Sequence, residues 1–468
     1  MFLLRRVPVV AVVLLLAVWL GAADPVRSDG PSGSNTVLLP LIMRPDPVSL
    51  SDITALVYSD CSYYMFSCPI DSDIYTVRAD GSHLTRLTDN DVNDTAPSWS
   101  PDGAYILWRA GYDVWLMRSD GSDQRELSGL PGSEWGYWSP RGQNILILEY
   151  DGSAPQGQQE ALFVTTVAVS TLTPVARGDI RFCGWSPSGD VFGFVKDSRL
   201  YTARADGSGV EQVASDVRDC GLWSPDGAWL AYEKRTREDP DVYVSRPDRS
   251  DTVALAAGPS ADHLAAWVEG GARVLIGDGD ALRLVSPRDG AMATLAVAAA
   301  GHRLWAIGVS PDGEDVVYED NTILTGPGQE VELKLQKTNS LTPTTISPIL
   351  RCSGLLCALH FSGWSYDRRQ VAYWMVDAFL PYHGNVTPYV ADVGAGSASY
   401  RQLDTPGASL TWLPSTSWLS GYTYGGGLPS WQLFNPRTGA ARTMPELADG
   451  YKSSLIVTEW RDWPDAPQ

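Results

Sequence analysis

The stretch DTAPSWSPDGAYILWRAGYDVWLMRSDGSDQRELS, residues 94–128, decides the fold. The residues before Trp99 form a strand that runs into Ser-Pro-Asp-Gly at 100–103. Proline presets φ for the second position of a tight turn, and glycine supplies positive φ at its close. AYILWR at 104–109 is then a second strand and DVWLM at 113–117 a third. Asp120-Gly121 suits a type I′ hairpin turn that returns a fourth strand. A lone four-stranded meander cannot bury both of its faces, so the unit must stack on copies of itself.

The copies are present along the chain. SWSPDG at 98–103 recurs as YWSPRG (137–142), GWSPSG (184–189) and LWSPDG (222–227), with weaker forms at 266–271, 308–313, 363–368 and 411–416. The slot occupied by Trp99 is filled by Trp138, Trp185, Trp223, Trp267, Val309, Trp364 and Trp412, at intervals of 38 to 55 residues. That period belongs to propeller blades. The hairpin run recurs as 73–88, 113–128 and 199–214, with degenerate copies starting near Ala161, Asp241, Ala281, Glu332, Thr387 and Ser430. The repeated indoles are expected between blades, in the core, rather than stacked on a ligand. The first unit, 53–88, lacks a Trp strand; LIVTEW at 455–460, with Trp460 in the slot, supplies it. The sequence therefore predicts an all-β chain, a single β-propeller closed by N- and C-terminal strands sharing one blade. Literal counting gives nine slots, but propellers usually have about 4–8 blades. Eight blades are expected, within a range of seven to nine, with 267–296 as the incomplete unit.

Composition agrees with a β-rich extracytoplasmic protein. Of 468 residues, 44 are Gly and 32 Pro, too many for a helix bundle, and 18 Trp are too many for a disordered chain. The formal net charge of −20 argues against nucleic acid and against an anionic membrane surface as partners. Arg5 and Arg6 precede an apolar run from Val7 to Leu20, then Gly21, Ala22 and Ala23. This reads as a signal peptide over 1–23, with an uncleaved anchor as the alternative. Residues 24–50 read as a linker, 51–463 as the propeller and 464–468 as a tail. The six cysteines suit an oxidising compartment, and spacing with the repeat alignment suggests Cys61–Cys68, Cys183–Cys220 and Cys352–Cys357; free buried thiols are the other reading. No C-x-x-C pair supports a zinc or thioredoxin-like site.

The aromatic-Ser-Pro-Asp-Gly turn, followed by Asp-Ile/Val-Tyr/Trp, Asp-Gly-Ser and Leu-Thr, resembles the repeat of the TolB-type β-propeller family, a relative of the WD-repeat blade. The resemblance covers residues 51–463 and implies the fold and an extracytoplasmic setting. It does not imply an activity. TolB itself carries an α/β domain before its propeller, where about 27 residues are present between 24 and 50. The prolyl-oligopeptidase-like members need a hydrolase domain with a G-x-S-x-G elbow, whereas 184–189 reads G-W-S-P-S-G. The pectate-fragment lyases of the family use several His around a metal, and this chain has five His in all.

Aligning the units exposes a ring of residues four before each slot: Thr95, Glu134, Arg181, Asp219, His263, Trp305, His360, Ala408 and Ile456. Each enters the innermost strand of its blade, near one mouth of the central channel. Glu134, Arg181, Asp219, His263, Trp305 and His360 are the binding candidates. His263, His360 and Asp219 are the weak candidates for a metal, of zinc or manganese type. No catalytic residue and no cofactor are predicted. The Asp-rich run 89–94 looks like a calcium loop but lacks the spacing of one; Asx turns explain it more simply. CSYYMFSC at 61–68 presents Tyr63, Tyr64 and Phe66 at the tip of a stapled insertion. The expected function is a monomeric, secreted or cell-envelope scaffold that binds a protein or polysaccharide of the envelope or matrix. A carbohydrate-active hydrolase or lyase at the channel mouth and a purely structural surface protein are the alternatives.

Overall fold

The computed structural model describes residues 49–60, 72–235, 240–256, 261–322, 329–352, 356–378, 384–393, 399–403, 407–423, 430–443 and 454–462. They form nine antiparallel sheets, and each meander fills one blade. Blade 1 is made of Ser454–Asp462, Ile53–Asp60, Ile74–Arg78 and Thr85–Arg86, in that spatial order. The remaining blades follow along the chain at 94–126, 133–178, 180–215, 222–256, 263–297, 302–352, 356–402 and 407–443. The C-terminal strand pairs antiparallel with Ile53–Asp60, which places Trp460 opposite Ala55 and closes the ring as the sequence predicts. The preferred count of eight is corrected to nine. The unit suspected of being incomplete is a full four-stranded blade, from His263–Val268 to Met292–Val297. Its turn, Val268-Glu269-Gly270-Gly271, lost the Ser-Pro-Asp consensus while keeping the glycine that the turn needs. Blade 7 carries an extra segment, Leu350–Cys352, paired beside Thr344–Thr345 on the same strand.

The Ser-Pro-Asp-Gly motif has two jobs. Inside a blade it is a closed turn: Gly103 N donates to Ser100 O at 2.8 Å, and Ser100 Oγ donates to Asp102 Oδ1 at 2.6 Å. Buried Ser100 also accepts the amide of Tyr105, which starts the next strand. Between blades, the turns stack. A Cβ on Gly142 would lie 3.2 Å from Pro101 Cδ of the preceding blade, and one on Gly189 would lie 3.3 Å from Pro140 Cδ. Gly227 sits on Pro187 and Gly271 on Pro225 in the same way. Blade 8 has Arg368 in place of this glycine, and its guanidinium binds Asp312 in the turn of blade 7.

The repeated Trp lies in the joint, as expected. Trp138, Trp223, Trp267 and Trp412 each donate Nε1–H to the carbonyl just before the slot of the preceding blade: Ser98, Gly184, Leu222 and Gly363, at 2.9–3.4 Å. Where the slot is Val309, Phe361 of blade 8 packs against Gly308 and fills the space. Four joints thus carry an indole-to-carbonyl bond as a registration mark, while the indole N–H groups of Trp185 and Trp364 are buried without a hydrogen-bond partner.

The turn glycines run at φ between +69° and +76° in Gly103, Gly142, Gly189, Gly227 and Gly313, a region that costs a β-branched residue at least about 1–2 kcal/mol. Gly142→Val is therefore expected to lower the thermal midpoint by several degrees, and Gly290→Ala, with nothing near its Cβ, to lower it less. Calorimetry on the two variants checks this; equal midpoints would mean that the stacked turns contribute nothing.

Candidate functional site

The two faces of the ring differ. On the back face, first and second strands are joined by the four to six residues of the Ser-Pro-Asp-Gly turns and their variants. Third and fourth strands there are joined by six residues in every blade but blade 3. On the front face, second and third strands are joined by as few as two residues, in blades 2 and 4, and as many as thirteen, in blade 1. The front face is also where each innermost strand begins, so the ring of candidates belongs to it.

A bulge decides how those candidates point. The innermost strands of blades 2, 4, 6, 7, 8 and 9 slip register against their neighbours between the candidate and the Trp slot, as between Thr95 and Ser98 or Ala306 and Gly308. A one-residue slip moves side chains to the other face. In bulged blades 2, 4, 6 and 7 the residue five before the slot faces the joint, and the candidate turns toward the mouth. Asp94, Ile180, Asp262 and Leu304 are accordingly buried, while Arg181, His263 and Trp305 are partly exposed.

Blade 3 has no bulge, and this corrects one expectation. Glu134 faces blade 2 and is fully buried. It accepts the amides of Val114 (3.2 Å) and Leu130 (3.1 Å) and the hydroxyl of Ser128, so it ties blade 3 to blade 2 and does not line the mouth. Burial pushes its carboxyl up to about 6, against those three donors, which hold it down.

The other candidates meet in pairs across neighbouring blades. Arg181 donates to Asp219 Oδ1 at 2.9 Å and to Arg218 O at 3.0 Å. Just below, Cys183 and Cys220 form the predicted disulfide, with Cα atoms 4.9 Å apart. His263 lies 5.9 Å from the ring of Trp305 and has Nδ1 3.5 Å from Glu233 Oε1. His360 instead stacks on Trp374 of its own blade at 3.9 Å, and burial pulls its imidazole below the usual range. His263, His360 and Asp219 do not converge: among the described residues no group of three His, Cys, Asp or Glu gathers as metal ligands would. In the run 89–94, Asn90 Oδ1 accepts Val92 N at 2.7 Å in an Asx turn, and Asn93 Oδ1 reaches across to accept Ser72 N at 3.1 Å. Cys61–Cys68 with Tyr63, Tyr64 and Phe66, Ala408 and Ile456 as side chains, and the Cys352–Cys357 pairing lie outside the described residues.

One patch escaped the alignment. Tyr112 forms the two-residue front hairpin of blade 2 with Gly111 and is 68 % exposed. The Arg109 guanidinium lies 5.7 Å from its ring and 5.3 Å from that of Trp135 in blade 3, and its Nε donates to Gly111 O at 2.9 Å. The patch thus sets a cation between two rings, with its fork pinned at one end. The signal was a tyrosine at a hairpin tip, where Gly, Asn or Asp would serve the turn better.

No family model matches the chain. An uncharacterised protein of Agrobacterium fabrum is 27 % identical over 137 residues, covering 26 % of this chain and 47 % of that protein. The uncharacterised peptidase YuxL of Bacillus subtilis is 26 % identical over 179 residues, covering 36 % of this chain and 26 % of the peptidase. The chain therefore spans less than half the length of these curated relatives. Among solved structures, a eukaryotic initiation factor superposes with a TM-score of 0.57 at 12 % identity, covering 88 % of this chain and 99 % of that one. This is a likeness of fold, and the TolB-type resemblance stands at the level of the propeller.

Glu134 makes stability depend on pH with a definite sign. Its folded pKa lies above the ordinary carboxyl value, so its contribution is present below pH 4.5 and lost as pH rises through 6. The thermal midpoint of the native chain should fall relative to Glu134→Gln between pH 4.5 and 7, by the equivalent of about 2 kcal/mol. A difference that stays flat across this window would show that Glu134 does not titrate there.

Proposed function

We propose that the chain is an extracytoplasmic, non-catalytic binding scaffold whose front face takes a protein or polysaccharide partner. The observation that carries this reading is the contrast between the faces: near-uniform connections behind, varied ones in front. The front face also bears the Arg109–Tyr112–Trp135 patch, the Arg181–Asp219 pair and the half-exposed Trp305. Aromatic and Arg side chains of this kind are the usual anchors of binding surfaces.

The extracytoplasmic setting is supported by the Cys183–Cys220 bond and by the charged-then-apolar start of the sequence. No described helix is long and apolar enough to cross a membrane. Of the acids expected to serve hydrolysis, Glu134 is sealed in a joint and Asp219 is held by Arg181, which favours binding over turnover.

The test is a binding screen of the mature chain against envelope and matrix polysaccharides and an extracellular protein fraction. Tyr112→Ala with Trp305→Ala should weaken the interaction found at least tenfold. The back-face Val210→Ala, 42 % exposed in the wild type, should change it less than twofold. Equal losses from both faces, or chemical turnover of a bound polysaccharide, would overturn the reading.

A further inference from the structure

Three joints of the ring place a pair of carboxylates in corresponding positions, one at the start of a third strand and one at the start of the next blade's innermost strand. Between blades 1 and 2 the pair is Asp73 and Asp94. Arg86 and Thr88 reach Asp73, and Asn90 and Trp108 donate to Asp94 at 2.9 Å each. Between blades 2 and 3 the pair is Asp113 and Glu134, and Glu134 has its three donors. Between blades 5 and 6 the pair is Asp241 and Asp262. They are 5 % and 4 % exposed. Asp241 Oδ1 is buried without a hydrogen-bond partner.

The backbone holds the two together: Asp262 N donates to Pro240 O at 3.0 Å, so Asp262 sits beside the residue that precedes Asp241. Two cations near the pair among the described residues are engaged elsewhere. Lys234, across the strand from Asp241, sets its amine over the Tyr243 ring at 5.2 Å. Arg283 donates to Asp278 Oδ2 at 2.6 Å. Asp278 and Asp241 both push the Asp262 carboxyl upward, in addition to burial, which is the largest cause; Arg283 and His263 pull it down less. A buried carboxylate without donors is costly unless a counter-charge meets it.

We propose that the joint between blades 5 and 6 binds a hard divalent cation, calcium in the first instance, through the carboxylates of Asp241 and Asp262. Hard cations take oxygen ligands, and a site of two carboxylates completed by backbone carbonyls and water lies within the range for calcium. The millimolar affinity range of extracellular calcium modules is sufficient for the setting proposed above. The ion neutralises the repulsion between the two carboxylates and locks blade 6 to blade 5 beside His263, at the channel mouth.

The test uses the chelator-stripped mature chain. Titration calorimetry should show one calcium per chain, and millimolar calcium should raise the thermal midpoint by several degrees. Asp241→Asn and Asp262→Asn should each abolish that rise. In chelator, Asp262→Asn should melt above the wild type, because the amide removes the repulsion; the order reverses in calcium. Asp89→Asn with Asp91→Asn, in the separate acidic run, should leave the calcium effect intact. A wild type indifferent to calcium, a rise that survives both joint variants, or one that the 89/91 variant abolishes would each overturn the proposal. So would binding of zinc in preference to calcium.

Discussion

The molecule depends on what happens where one blade meets the next. Each four-stranded sheet presents two apolar faces, and neither can face water, so every blade is stable only between neighbours. Two contacts recur there, each at four joints: a turn glycine lying on the preceding turn proline, and an indole N–H reaching the preceding backbone carbonyl. Both contacts lie on the same short motif. A drift in one blade must be absorbed by the next, and the substitutions show how. Arg368 replaces a glycine and substitutes an ion pair with Asp312 for the lost stacking, while Phe361 fills the room left where a tryptophan is missing.

The fold was legible because its determinants are local and repeated. The Trp slot, the proline-glycine turn and the Asp-Gly hairpin each announce themselves within a few residues, and so did the shared blade of the two termini. Nine blades lie within the expected range, one above the preferred eight, for the same reason: 266–271 lost the consensus, yet Gly271 still meets Pro225, and that contact is invisible without the neighbouring blade. The candidate site was less legible. A sequence alignment assumes that equal offsets from the Trp point the same way. The bulges break that assumption, and Glu134 turns into the joint because the innermost strand of blade 3 pairs without a slip through residues 133–138. Arg109 and Tyr112 carried no motif at all and became a patch only when Trp135 of the next blade arrived beside them.

The bulge is also what lets one repeat serve two demands. Without it, the start of every innermost strand would be committed to the joint. With it, one residue seals the joint and its neighbour is released to the mouth, where Arg181, His263 and Trp305 differ freely from blade to blade. Chemical variety at the front face therefore carries little penalty in the packing behind it.

Closure by the two ends has a consequence for how the chain is made. The strand that completes blade 1 lies about 400 residues from the strand it pairs with, so the ring cannot shut until residues 454–462 have been made. Bringing such distant segments together costs about 5 kcal/mol of chain entropy, and the price falls on the last pairing. Until then a growing arc of blades exposes the unpaired edge of Ile53–Asp60, a template for strands of any other chain. A nascent chain handed across a membrane unfolded, and released only when whole, would avoid presenting that edge at all.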